Sequence, residues 1–170
     1  MNGNQQAADL LISHHAEMVS SLRERAQALV AAAERGVALT ADKRAFLAYV
    51  HEILVPHALA EEKTLYPAAA QRPQLSALVH SMITEHRRIL SLFETIQHSD
   101  DSVFVAAYAT ALFVLFEVHA TKENEEILPP LRDDPTCNLA QLVEAMHRAI
   151  PQHTAVETQA ESQITKEEIG

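Results

Sequence analysis

Glycine is nearly absent from this chain, with three in 170 residues, and there are seven prolines and almost no runs of β-branched side chains. A sheet protein draws on glycine at tight turns and β-branched residues along its strands, so helices are expected instead. Cysteine is scarcer still. Cys137 stands alone, which rules out an internal disulfide and fits a reducing compartment. Positive charge is also short, because 13 Lys and Arg against 23 Asp and Glu leave a formal charge of -10. Nucleic acid and anionic membrane surfaces both bind basic patches, so neither is expected as a main partner. Residues 103–116 carry no charge at all, yet a membrane span needs about 20 apolar residues, and the run reads as a core helix. The opening MNGNQQAADLL has no basic start before an apolar block. No signal peptide is therefore expected, and a cytoplasmic location is the default. Length and apolar content suit one domain with a good-sized core.

Apolar residues recur at helical spacing in four long blocks. The first helix is predicted from Gln6 to Glu34, with Leu11, Met18, Leu22 and Leu29 on one face and Gly36 as its stop. Thr40 is the expected N-cap of the second, whose stripe is Phe46, Val50 and Leu54. Pro56 should kink or break that block, since it removes a backbone donor and clashes with the preceding turn. A third helix begins near Pro73, with Leu75, Val79, Met82, Leu90 and Phe93 as its stripe. HSDDS at 98–102 supplies a cap for a fourth, running through Phe104, Ala111 and Leu115 to about Leu128. After DDPT comes a shorter fifth, with Leu139, Leu142, Val143, Met146 and Ile150 on its apolar side. The expected fold is all-α, an antiparallel up-down-up-down four-helix bundle with a short fifth C-terminal helix. Residues 1–150 would form it, and 151–170 would be a polar acidic tail, a loose helix or disordered.

Ten histidines are then sorted by face. His15 has Leu11, Ile12, Met18 and Val19 one turn away and points to the core, whereas His14 has Glu17 and Ser21 beside it and looks outward. His57 continues the Val50–Leu54 line, and Glu61 follows one turn later. His86 sits among Met82, Ile83, Ile89 and Leu90. His119 has Leu115 and Phe116 behind it and Glu123 ahead. Each long helix thus aims one histidine inward, and two add a glutamate. Unpaired buried carboxylates cost several kcal/mol, on the order of what a cation would offset. Donors from facing helices build metal sites in bundles, and a mixed nitrogen and oxygen set suits iron or manganese, with zinc the main competitor.

A histidine followed four residues later by glutamate is weak evidence alone, because roughly one such pair is expected by chance in this composition. Three occur. His153 with Glu157 lies in the polar tail and reads as accident. The other two share a longer pattern: after His57 come Glu61, Leu65 and Pro67, and after His119 come Glu123, Ile127 and Pro129. Chance repetition of that pattern is roughly a one-in-a-thousand event. The copies are 62 residues apart, as two helical hairpins related by a pseudo-two-fold would be. Taken singly, His51, His80, His98 and His147 are read as ordinary histidines.

SHHAEM, PHALAEEKTLYP, MITEHRRIL and VHATKENEEILP, spread over about residues 8–131, together resemble the hemerythrin family in its bacterial HHE cation-binding form. The resemblance implies an antiparallel four-helix bundle around two iron ions, with two bridging carboxylates and often an oxo or hydroxo bridge. It implies His15, His57, His86 and His119 as ligands, and Glu61 and Glu123 as bridges. Zinc or manganese are the less favoured metals. Two departures stand out. Oxygen carriers of the family have two histidines one turn apart on the third helix, where here the neighbours of His86 are Met82 and Leu90. Water or a carboxylate such as Glu62, Glu85 or Glu126 would fill the vacated position. Those carriers also place an aspartate five residues after the last histidine, where this chain has Asn124. Both differences argue against simple reversible oxygen carriage.

The expected role is a non-haem di-iron protein that binds or senses O2, NO or peroxide, or buffers iron. An enzyme turning over peroxide in catalase-like fashion is the alternative. A further one is an interaction module whose metal is structural zinc, docking through the fifth helix and acidic tail. Tyr66 and Tyr108 are read as packed apolar-face residues.

Overall fold

The computed structural model describes residues 3–150, and every regular element among them is helical. The tail, with its His153–Glu157 pair, lies outside the described residues. Helix α1 spans Gly3–Glu34, three residues earlier at its start than its apolar periodicity indicated. Asn4 accounts for the extension: its side-chain amide donates to Cys137 O at 2.8 Å and accepts from Leu139 N–H at 3.0 Å, tying the first turn to a distant loop. Gly36 ends the helix as expected. Its φ of 65° is the left-handed conformation, and Gly36 N–H and Val37 N–H return to the carbonyls of Ala33 and Ala32.

The second block divides into α2 (Thr40–Tyr49), a π-helical turn (Val50–Leu54), α3 (Val55–Lys63) and α4 (Leu65–Ala70). Thr40 begins α2, but no side chain caps it; the expected threonine cap is not formed. Pro56 is accommodated rather than broken at. Its ring would strike the carbonyl of Glu52 in a regular helix, and the backbone avoids this by widening into the π turn, closed by Val55 N–H to Val50 O. Pro56 then falls in the first turn of α3, where no backbone donor is needed. Pro67 has a sharper effect: Thr64 leaves the helical region (φ -125°, ψ -65°) and separates α3 from α4.

Helix α5 (Pro73–His98) starts on its proline as predicted. Its stripe holds with one exception. Leu75, Val79, Met82, Ile89 and Ile96 are buried and Phe93 packs against the core, but Leu90 is 37% exposed. Helix α6 (Ser102–Lys122) is capped by Asp101, which accepts from Phe104 N–H at 2.9 Å. It continues through a second π turn (Glu123–Ile127) into α7 (Leu128–Asp133), so Pro129 and Pro130 are again preceded by a widened turn. Helix α8 (Leu139–Ala149) is capped by Asn138 and packs across α1, α3 and α4.

The uncharged run is therefore part of a longer element than its sequence indicated. Ser102–Asp133 is one 32-residue helical segment, long and apolar enough by itself to cross a membrane. It is packed on one side: Val105, Ala109, Leu112 and Phe116 are buried, with α1 and α5 as neighbours, while Val103, Val114 and Val118 lie exposed.

Two apolar clusters fill the interior. One gathers Leu11, Tyr66, Met82, Leu131 and Met146 near α4, α7 and α8. The other gathers Met18, Leu22, Phe46, Leu54, Ile89 and Phe116 towards the opposite end. Each fully buried side chain of this size contributes roughly 1.5–3 kcal/mol, so the clusters hold the helices in place. A polar layer lies between them. His15 falls between Leu11 and Met18, His86 between Met82 and Ile89, and His57 between Leu54 and Ala60.

Candidate metal centre

Six polar side chains are buried in this layer, and they are the six singled out by face: His15, His57, Glu61, His86, His119 and Glu123, none more than 4% exposed. Among the described residues no other polar or charged side chain is buried to that degree. His57 and Glu61 share α3, directly after the π turn that absorbs Pro56. His119 lies at the end of α6, and Glu123 opens the second π turn. His15 comes from α1 and His86 from α5. His14 is half-buried with its ring 5.1 Å from that of His57, and it belongs to neither donor group. His51, His80, His98 and His147 are exposed, so they are surface residues.

The imidazoles meet in pairs. His15 Nε2 lies 3.1 Å from His57 Nε2, and His86 Nε2 lies 3.0 Å from His119 Nε2. Glu61 spans the pairs: Oε1 is 2.8 Å from His57 Nε2 and 3.4 Å from His15 Nε2, and Oε2 is 3.5 Å from His86 Nε2. Glu123 Oε2 is 3.5 Å from His15 Nε2 and 3.8 Å from His119 Nε2. Two triads result, His15–His57–Glu61 and Glu61–His86–His119, with Glu61 common to both.

What lies behind the rings fixes which nitrogen faces inward. His15 Nδ1 is 2.8 Å from Asn124 Oδ1, His86 Nδ1 is 2.8 Å from Glu62 Oε1, and His119 Nδ1 is 3.1 Å from Glu85 Oε2. Each of these oxygens only accepts, so each Nδ1 carries a proton and donates it outward. The Nε2 lone pairs are thereby left pointing into the layer, the tautomer that binds a metal. Glu85 is itself held by Lys122.

Facing lone pairs repel unless a positive charge lies between them. Without a metal that charge is a proton. Burial disfavours a charged His15, but Glu61 and Glu123 outweigh it and raise its pKa to about 9. Burial likewise opposes charging His86, and Glu61 again raises it. His119 moves the other way, to about 4, through burial and the neighbouring His86. At 3.0 Å the two Nε2 atoms of the second pair share one hydrogen bond, so one ring donates to the other. Glu123 is pushed up by burial and by Glu61. Glu61 stays well below the usual carboxylate range because, against its burial, His57 and the other imidazoles around it favour the anion.

The donor set fits cations better than protons. Nitrogen and oxygen ligands at ~2.1 Å from one ion stand about 3.0–3.4 Å from each other, according to coordination number. The separations within each pair and to Glu61 fall in or near that range. Protons also leave Glu61 Oε2, in the middle of the layer, buried without a hydrogen bond. A carboxylate oxygen in that position is costly, and a cation at Oε2, beside His86, would remove the cost.

Several residues fall elsewhere than the sequence suggested. Glu62 and Glu85 were candidates for a vacated ligand position, but both sit behind histidine rings and touch Nδ1 atoms. Glu126 is exposed. Tyr66, expected to pack, does so with its ring but turns its phenol into the layer: Oη donates to Glu123 Oε1 at 2.6 Å and lies 3.3 Å from His119 Nε2. Asn124, noted as a departure, supports His15. A sequence signal existed for the outer carboxylates, since Glu62 follows Glu61 and Glu85 precedes His86, but not for which atom they would reach.

No curated protein and no solved structure matches the chain. The hemerythrin HHE cation-binding domain does, over residues 6–131, which takes in all six converging side chains. With three-quarters of the sequence matched and a buried histidine and glutamate cluster suited to metal, the chain belongs to the hemerythrin HHE cation-binding family.

Proposed function

We propose that this protein holds two iron ions in the polar layer of an antiparallel up-down-up-down bundle and uses them, in the cytoplasm, to bind or sense O2, NO or peroxide, or to buffer iron. His15 and His57 would hold one ion, His86 and His119 the other, and Glu61 and Glu123 would bridge them. The observation that carries this reading is the pairing of inward Nε2 atoms at 3.1 and 3.0 Å around a shared Glu61 whose Oε2 has no hydrogen bond. Two imidazoles and shared carboxylate oxygens per ion make a set that suits iron or manganese, with zinc the competitor.

When bound, reduced iron supplies electrons to a small oxidant and an open position for a diatomic. The chain supplies the rest. Asn124, Glu62 and Glu85 keep a proton on Nδ1 of three histidines and so hold those rings in the binding tautomer. Leu11, Met82, Phe116 and Ile127, none more than 3% exposed, wall the layer off from water. Space beside it is small: a cavity of about 20 Å³ between Leu54, Leu59, Ile89, Leu90 and His86 is the size of one water or diatomic. A much larger open cavity, about 770 Å³, lies elsewhere, between Val37, Leu47, Phe93 and Val105. This size favours a small ligand over an organic substrate.

Peroxide turnover is the second reading, favoured by each ion's having only two histidines. Adding peroxide to iron-loaded protein and following oxygen release separates the two. A stoichiometric colour change without sustained oxygen release is expected, and continuous release would make the protein an enzyme. A zinc-bound, spectroscopically silent protein that unfolds on metal removal would instead indicate a structural metal.

A further inference from the structure

We propose that the outward face of α6 is covered by a second copy of this chain, the two helices lying antiparallel about a two-fold axis at Thr110 and Ala111. The inference is independent of the metal reading. No exposed residue of α6 carries a charge. Val103 and Val118, towards its two ends, are 70% and 51% exposed, and Val114 lies open between them. Glu117 and Lys122, the helix's two permanent charges, are already paired with Arg23 and Glu85. The Thr110 hydroxyl turns back on Ala106 O at 2.9 Å. A helix that is apolar all round is normally buried all round. Helices α1 and α5 cover the inner side of α6, and its outer side has no neighbour among the described residues.

The order of the side chains selects the partner. The outward positions 103, 107, 110, 111, 114 and 118 are symmetric about the midpoint of 110 and 111. Reversing one copy on the other sets Val103 level with the partner's Val118, and Ala107 level with the partner's Val114. Small side chains then face larger ones, and Thr110 and Ala111 at the axis let the helices approach closely. A parallel pair would set Ala107 against its own copy and leave a gap. The edge of the face agrees. An open groove of about 500 Å³ lies between α1 and α6, lined by Val30, Ala33, Val103 and Ala107 with Glu34 beside them. Glu34 has no ion pair among the described residues, and Arg23 stands further along the same edge, over Phe113. The two-fold keeps α1 of both copies on one edge and reverses their direction, so Glu34 comes towards the partner's Arg23. Copies that each carry a charge of -10 must also meet where charge is missing. Lipid suits the face less well, because the same segment carries His119 and Glu123 into the buried layer. The polar, acidic residues 151–170 suit it less well still.

The test is the oligomeric state of the full chain, read by sedimentation equilibrium over a concentration series. A dimer is expected. Val114→Glu should weaken it roughly 100-fold or more, because the axis places two carboxylates in an apolar seam. Its helix content, followed by circular dichroism, should not change, since Val114 is exposed. Cross-linking reads the direction of the pair. In a Cys137→Ser background, Ala111→Cys beside the axis should form a disulfide between copies on mild oxidation. Val103→Cys should not, since an antiparallel pair holds its two copies about 22 Å apart. A wild-type chain that stays monomeric throughout overturns the proposal, and its co-flotation with phosphatidylcholine–phosphatidylglycerol vesicles would name lipid as the cover. A dimer that Val114→Glu leaves intact, or one in which Val103→Cys links as readily as Ala111→Cys, overturns it too. Should Val114→Glu lose its helix content, the two cysteine variants decide alone.

Discussion

Glu62 Oε1 lies 2.8 Å from Nδ1 of His86, on the side of the ring turned away from the polar layer. Glu62 therefore acts through the histidine: it keeps the proton on Nδ1 and leaves Nε2 free to bind. Glu85 does the same for His119. Removing such a support typically lowers metal affinity about 10- to 100-fold. Glu62→Ala should show a loss of that size at one of two sites in a chelator competition, with the other site little changed. Glu62→Gln keeps an acceptor oxygen and should lose less. Equal weakening of both sites by Glu62→Ala would place Glu62 elsewhere in the scheme.

Metal and protons compete for the same lone pairs, which gives the loaded and metal-free proteins opposite pH behaviour. His15 has a folded pKa of about 9, above its ordinary 6.5, so its charged contacts stabilise the metal-free fold below 6.5 and are lost as pH rises towards 9. Glu123, raised from 4.5 to about 8, adds a cost that grows from about pH 4.5 and is complete near 8, so it overlaps the lower part of that window. The Tm of metal-free protein should fall between pH 6.5 and 9. Loading should release protons to the buffer, and stabilisation by metal should grow across that window. Calorimetric titrations in buffers of different ionisation enthalpy read the proton release directly. A binding enthalpy independent of buffer would contradict the proton-filled site.

Gly36 offers a perturbation well away from the layer. Its φ of 65° is strained for any residue with a Cβ, although a methyl group there would meet nothing within 4 Å. Gly36→Ala should cost about 1–2 kcal/mol, seen as a shift in the denaturant midpoint. Metal content should not change. A variant that lost metal as well would mean that the α1–α2 turn positions the site.

Much of the site was legible because the donors belong to helices whose facing is set by neighbours three and four residues away. Leu11 and Met18 report on His15, and Met82 and Ile89 on His86. That logic fails where the period changes. The turn at Val50–Leu54 and the break at Thr64 both answer a proline clash, and nothing in the local pattern says whether a chain widens, kinks or breaks there. The direction of the Tyr66 phenol was missed for this reason, as was the reach of the helix beyond Leu128. Leu90 was assigned to the α5 stripe, but that line runs in steps of four and three through His86, Ile89 and Phe93 to Ile96, and Leu90 falls beside it. The outer partners Glu62, Glu85 and Asn124 depend on contacts across 24 to 109 residues of sequence, which no single-helix pattern encodes.

Metal content of protein purified without added metal is the most direct test. Wild-type protein should carry up to two ions per chain, chiefly iron. His57→Ala and Glu61→Ala should lower that content sharply, Glu61→Ala more because its two oxygens face both pairs. His153→Ala should match wild type. A wild-type chain that stays metal-free when offered iron, or three variants indistinguishable from one another, would contradict the account.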